Sequence, residues 1–219
     1  EEKDDITVRA KSSNGEPQEV HGDEVLVALG RRPNTDKLGL DNTSIQTDDH
    51  GFVKTNEYLE TTADDVWALG DIADNYMFKH SADYETRVVE HNAVDGQKEK
   101  VNFSGMAHAI FAKPQIGALG RTEEDLKEEG IEYERGYVKF SDTVMGKVQK
   151  LENGFVKVLV DSSDGSILGC HVIGEDASVL IHEVVVAARN GLKASGVANS
   201  IHVHPTMSKV IEKAFNDLS

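Results

Sequence analysis

The sequence predicts a mixed chain, α/β in class and α+β in its second half, where an antiparallel sheet is expected. Strand-like runs at Tyr133 to Phe140, Phe155 to Val160 and Ile167 to Ile173 come with the turn pairs Asn153-Gly154 and Asp164-Gly165, which suit hairpins. In the last segment Met207, Val210, Ile211, Ala214, Phe215 and Leu218 recur at helical spacing and form a wide apolar stripe. Between the halves, the polar run Asp95-Gly96-Gln97-Lys98-Glu99-Lys100 reads as a linker, with a domain boundary near residue 100.

Taken in order, Ile6 to Ala10 and Glu24 to Leu29 read as two strands joined by a hairpin through Ser12-Ser13-Asn14-Gly15. A chain that opens in this way reads as cut mid-strand. Gly30-Arg31-Arg32-Pro33-Asn34 is a turn, and Val66 to Leu69 a short strand that stops at Gly70-Asp71. A helix is expected from Ala82 to about Val94, with Tyr84, Val88, Val89 and Ala93 at helical spacing. Beyond the linker, Ile116 to Leu119 reads as a strand and Thr122 to Glu129 as a helix, with Gly130 at the C-cap position. Two helices close the chain, one from Ala177 to Asn190 stopped by Gly191, the other beginning near Thr206 as its N-cap.

Composition narrows the function classes. Thirty-nine acidic residues against 23 basic ones give a formal charge of −16, which repels nucleic acid and anionic membranes. The acids are scattered and read as a solvated surface, for which a salty cytoplasm is one explanation. No apolar run is long enough to span a bilayer, and the first five residues carry no signal-peptide core, so a soluble, cytoplasmic protein is expected. The single cysteine, Cys170, excludes an internal disulfide or a redox-active cysteine pair within the chain. His80, His91, His171 and His182 have no metal-ligand spacing, and no metal site is expected.

Three motifs carry chemistry. Gly70-Asp71 ends a strand, where an aspartate can accept hydrogen bonds from ligand hydroxyls; alone it reads more readily as a strand-ending turn. The stretch Thr61 to Ala73 around it resembles the second FAD-contacting motif of the two-dinucleotide-binding-domain flavoproteins. Gly30 to Asn34 resembles the segment by which that family's chain leaves the NAD domain and re-enters the FAD domain. The third, His202-Val203-His204-Pro205-Thr206-Met207-Ser208, resembles the C-terminal HxHPT signature of the pyridine nucleotide-disulfide oxidoreductases, of the dihydrolipoamide dehydrogenase and mercuric reductase type. Pro114 to Glu123 and Ile167 to Gly174 resemble stretches of that family's interface domain, so the likeness spans essentially the whole chain.

This resemblance implies the C-terminal portion of such an enzyme: residues 1–29 the tail of an NAD(P)-binding domain, 30–100 the end of an FAD-binding domain, and 101–219 a dimerisation domain. It implies FAD and NAD(P)H as cofactors of the parent, a homodimer, and a small-molecule disulfide or dithiol substrate such as dihydrolipoamide. By position it places Gly70 and Asp71 at the FAD ribityl chain, and Met77, Phe78 and Lys79 beside the flavin ring. His204 would be the acid/base that one subunit lends to its partner's active site, a task suited to an imidazole titrating near neutrality. His202 reads as structural.

Two departures stand out. The glutamate that orients the family's histidine, five residues later, is Lys209 here; with Thr206 as N-cap, that lysine also sits at the wrong end of a helix dipole. Glu212, one turn on, could substitute. No GxGxxG follows a strand, so neither phosphate-binding loop is encoded, and the chain alone is not expected to bind flavin tightly or to turn over. Tyr76 to Glu85 looks closer to mercuric-reductase-like and low-molecular-weight thiol-disulfide reductases, although the end Phe215-Asn216-Asp217-Leu218-Ser219 lacks a metal-passing cysteine pair. The remaining readings are a non-catalytic dimerisation module, whose interface the last helix's stripe would supply, and the ferredoxin-reductase or NADH-oxidase branch, which leaves His202 to Thr206 unexplained.

Overall fold

A computed structural model describes residues 6–219; the acidic residues before them lie outside the described part. Two strands, β1 (Ile6–Lys11) and β2 (Pro17–Gly22), form an antiparallel ribbon whose residues are all exposed. This corrects the expected pairing. The second strand is the polar run Pro17–Gly22, while residues 24–29 form no strand and leave Leu26 and Leu29 93% and 95% exposed. An alternating apolar run becomes a strand only where a partner offers unpaired backbone. None of the described residues does so there.

Residues 35–78 are irregular, with 3-10 turns at Thr35–Lys37, Leu40–Asn42 and Gly70–Ala73. The expected strand at 66–69 reduces to one bridge between Glu60 and Trp67. Helix α1 (Lys79–Ala93) starts three residues before its expected position. Its buried face is Ser81, Glu85, Val88 and Asn92, which shares only Val88 with the apolar residues that suggested it. Tertiary hydrogen bonds to a polar face thus override the apolar periodicity: Asn92 donates to the carbonyls of Tyr58 and Glu99 and accepts from the Glu99 N–H.

The second half is a five-stranded antiparallel sheet built from β3 (Ala107–Ile110), β4 (Gln115–Gly120), β5 (Tyr133–Lys139), β6 (Phe155–Asp161) and β7 (Ile167–Gly174), ordered β3-β4-β7-β6-β5. Period-two alternation sorts its faces. Val156, Val158 and Val160 of β6, with Cys170 and Val172 of β7, enter the core. There they meet α4 (Ala177–Arg189), α5 (Ala194–Ala198) and α6 (Lys209–Asn216). In register on the other face run His108, Ala118, His171, Lys157 and Tyr137, covered in part by α2 (Glu123–Glu129), whose Glu123 pairs with Lys157 at 2.8 Å.

Helix α2 begins on a capping box between Thr122 and Asp125; it ends at Gly130 in the left-handed region, the C-cap its sequence predicts. Asp164-Gly165 does turn β6 into β7. Asn153-Gly154 closes no hairpin, because a 3-10 turn at Phe140–Asp142 and the helix α3 (Val144–Val148) intervene between β5 and β6.

Helix α6 begins at Lys209, and Thr206 does not cap it: the Thr206 hydroxyl donates instead to the Val203 carbonyl at 2.8 Å. Its apolar stripe is no docking face either. Val210, Ile211, Ala214 and Phe215 are buried in the chain's own core against β5 and β6. Gly136 permits that approach, since a Cβ on it would stand 1.9 Å from the Ala214 carbonyl oxygen.

Candidate functional site

The Gly70–Asp71 turn is built from below. Gly70 adopts φ 73°, a conformation glycine reaches without a Cβ penalty. Its N–H donates at 2.5 Å to Glu85, a carboxylate of α1 that is fully buried. The amide of Asn75 approaches the other oxygen of Glu85 at 3.4 Å. Ile72 is tied to the preceding segment through its carbonyl, which accepts from the Val53 N–H at 2.9 Å.

Above this base, Asp71 stays half exposed, its carboxylate 3.5 Å from Nη1 of Arg31. The same guanidinium donates to the carbonyl of Met77. Arg31 thus joins the two stretches that the sequence singled out separately, residues 70–71 and 77–79. Phe78 is stacked between imidazoles, 5.2 Å from the ring of His80 and 5.9 Å from that of His108. Lys79 pairs with Asp83 one helical turn on, and His80 Nε2 meets the Ala107 carbonyl at 2.8 Å, fastening α1 to β3.

Between α1, β3 and α4 lies an open cavity of about 680 Å³, lined by Phe78, Lys79, His80, His108, Phe111 and His182 among others. Neither Asp71 nor His204 lines it. Tyr84, also in the lining, has Arg189 at 4.9 Å and Arg87 at 5.9 Å from its ring. Among the described residues, no group of three or more His, Cys, Asp or Glu side chains could hold a metal ion, and no helix is long and apolar enough to cross a membrane.

His204 is exposed and makes no hydrogen bond among the described residues. Its neighbours Ile201 and Val203 are 102% and 73% exposed. His202 is the opposite case: its side chain is only 6% exposed and bonds Glu183 on α4. Burial would lower its pKa, but the bonds to Glu183 and the Ser200 carbonyl, with the charge of Glu212, raise it above the ordinary value. Glu212 does not substitute for an orienting glutamate at His204, because it pairs with Lys209 and lies 4.0 Å from His202 Nδ1. Sequence reading missed the supporting parts Glu85, Arg31 and Glu183. A carboxylate in the middle of an α1 face otherwise facing the fold was the available signal for Glu85.

The model of the pyridine nucleotide-disulphide oxidoreductase dimerisation domain matches residues 106–215, and that of pyridine nucleotide-disulphide oxidoreductase matches residues 1–86. The chain belongs to this family. It is 33% identical over 216 residues to the dihydrolipoyl dehydrogenase of Bacillus subtilis, covering 98% of this chain and 45% of that protein. The dihydrolipoyl dehydrogenase of Staphylococcus aureus is 35% identical over 211 residues, 95% of this chain and 44% of that protein. Among solved structures, the HOCl-induced flavoprotein disulfide reductase RclA from Escherichia coli superimposes with a TM-score of 0.84 at 25% identity, covering 96% of this chain and 48% of that one. The chain therefore spans a little under half the length of the curated relatives it matches.

Residues implied to hold FAD fit one part of it. Asp71 presents a half-exposed carboxylate able to accept hydroxyl hydrogens, and residues 77–79 offer backbone at the mouth of the α1 helix. For the pyrophosphate no glycine-rich loop is encoded.

Proposed function

We propose that this chain is the C-terminal half of the machinery of a FAD-dependent disulfide oxidoreductase that moves electrons between NAD(P)H and a small disulfide or dithiol such as dihydrolipoamide. In this reading residues 1–29 close an NAD(P)-binding domain, 30–100 complete an FAD-binding domain, and 101–219 form the dimerisation domain. FAD, when bound, supplies the two-electron step between nicotinamide and thiol. Gly70 and Asp71 hold its hydroxylated chain, with Arg31 setting the carboxylate, and Met77, Phe78 and Lys79 flank its ring.

The observation that carries the reading is the exposed His204, unpartnered among the described residues and preceded in the chain by the exposed apolar side chains of Ile201 and Val203. Exposed apolar residues beside a functional polar group favour a contact surface over a solvated loop. In a homodimer His204 would reach the partner's thiols, taking a proton as a thiolate forms and returning it as the thiol leaves. The relatives' name, dihydrolipoyl dehydrogenase, favours dihydrolipoamide as the dithiol. Sedimentation and the visible spectrum of the purified chain test the division of labour. A colourless dimer is expected; a monomer that stays dissociated as concentration rises contradicts the interface role of residues 101–219.

A further inference from the structure

The segment Ile201–Thr206 crosses the fold with little to hold it. Among the described residues, its only hydrogen bond to an element beyond its own flanking turns runs from Nε2 of His202 to Glu183 on α4. The other ring nitrogen, Nδ1, lies 3.0 Å from the Ser200 carbonyl. A carbonyl only accepts, and so does an ionised carboxylate, so satisfying both partners requires a proton on each nitrogen. These contacts favour the imidazolium form of His202, the direction in which they also move its pKa. Its charge faces Glu183 from α4, Glu212 from α6 at 4.0 Å, and Lys209, which pairs with Glu212. From β7 the nearby ionisable group is Cys170, whose thiol is buried and uncharged.

His204 itself receives no orienting carboxylate. The place five residues after it holds Lys209, and Lys209 occupies Glu212. Two residues before it, however, His202, with its side chain 6% exposed, bonds the 31% exposed Glu183 and ties the same stretch of chain to α4. The geometry points to the His202–Glu183 pair as the positioning device for the segment that carries His204, replacing support that the lysine at position 209 cannot give. This inference rests on the reading of His204 as the acid/base; the latch itself is measurable without it.

The sign of its pH dependence follows. A group whose folded pKa is raised contributes stability that is fully present below its unfolded value and lost as pH rises through the folded one. The segment should be ordered in acid and neutral solution and loosen as His202 loses its proton.

The test is a pH titration of the isotopically labelled full chain by NMR, reading the ring nitrogens of His202 together with amide exchange across residues 201–207. We expect both ring nitrogens protonated at neutral pH, and loss of amide protection with the same midpoint, above the ordinary histidine value of about 6.5. Glu183→Gln should move that shared midpoint down by about one unit, a tenfold change in proton affinity. Glu183→Asp should restore part of the shift, and Glu212→Gln should give a smaller downward shift should the first variant fold poorly. His204→Gln should leave the midpoint in place. A His202 that is neutral at neutral pH, or amide protection indifferent to its titration, overturns the proposal. In the FAD-loaded dimer of a longer protein that carries this chain with the glycine-rich loops and a cysteine pair, a His204→Gln variant with full disulfide turnover removes the acid/base reading while leaving the latch result standing.

Discussion

The N–H of Gly70 donates a 2.5 Å hydrogen bond to the carboxylate of Glu85, a side chain with no exposed surface. The turn that presents Asp71 is thus set from beneath by a residue fifteen positions later on α1. Removing the carboxylate leaves a buried donor without a partner and a void behind it. Glu85→Ala should cost about 3 kcal/mol in urea denaturation, whereas Glu85→Gln, which keeps an acceptor oxygen, should cost about 1 kcal/mol. Equal losses for the two would contradict the hydrogen-bonding role.

Gly136 gives a second expectation. A methyl group there would collide with the Ala214 carbonyl, forcing α6 away from β5. Gly136→Ala should destabilise the fold by about 3 kcal/mol, near the upper end of overpacking effects, while the exposed Gly15→Ala site contacts nothing and tests only backbone strain. Thermal unfolding of both variants separates the two effects.

The Glu123–Lys157 pair on the outer face of the sheet sets part of the acid limb of stability. The bond to Lys157 holds the Glu123 carboxyl below its ordinary range despite some burial. Its contribution is present above the unfolded carboxyl value and is lost as pH falls through the lowered one. Glu123→Gln should therefore lower Tm at neutral pH and flatten its decline in acid, so that the two proteins converge as pH falls. An acid limb that is unchanged would mean the pair contributes nothing.

Cys170 is fully buried in the core, and burial pushes its thiol far up. A thiol reagent should label it only after unfolding, with urea dependence matching that of the global transition. Rapid labelling of the native chain would contradict the packing of β7 against α4.

Much of the second half was legible in the sequence because its signals are local. The helix 122–129 with its stop at Gly130, the glycine at 191, and the Asp164-Gly165 turn between β6 and β7 each act within a few residues. Misreadings occurred where distant partners decide. Residues 24–29 have strand composition but no paired neighbour among the described residues, and the polar Pro17–Gly22 pairs with β1 instead. The edge strand β3, four residues long and half exposed, was too short to register, and the small helices α3 and α5 lack a full apolar period. At the candidate site, Asp71 and Met77 were singled out by resemblance to family motifs, but Arg31 reaches Met77 across 46 positions and Glu183 reaches His202 across 19. Neither separation leaves a periodic trace. His202, read as structural, has a side chain only 6% exposed that bonds Glu183, a contact that raises its pKa.

The most direct test of the functional account is His204→Gln in the FAD-loaded dimer of a longer protein that carries this chain together with the glycine-rich loops and a cysteine pair, assayed with NADH and a small disulfide, and in parallel with a one-electron acceptor that needs no proton exchange with a thiol. The account expects disulfide turnover to fall by about 10²–10⁴-fold, the range a general acid/base supplies, with the one-electron activity retained. Disulfide turnover at the unmodified rate would contradict it.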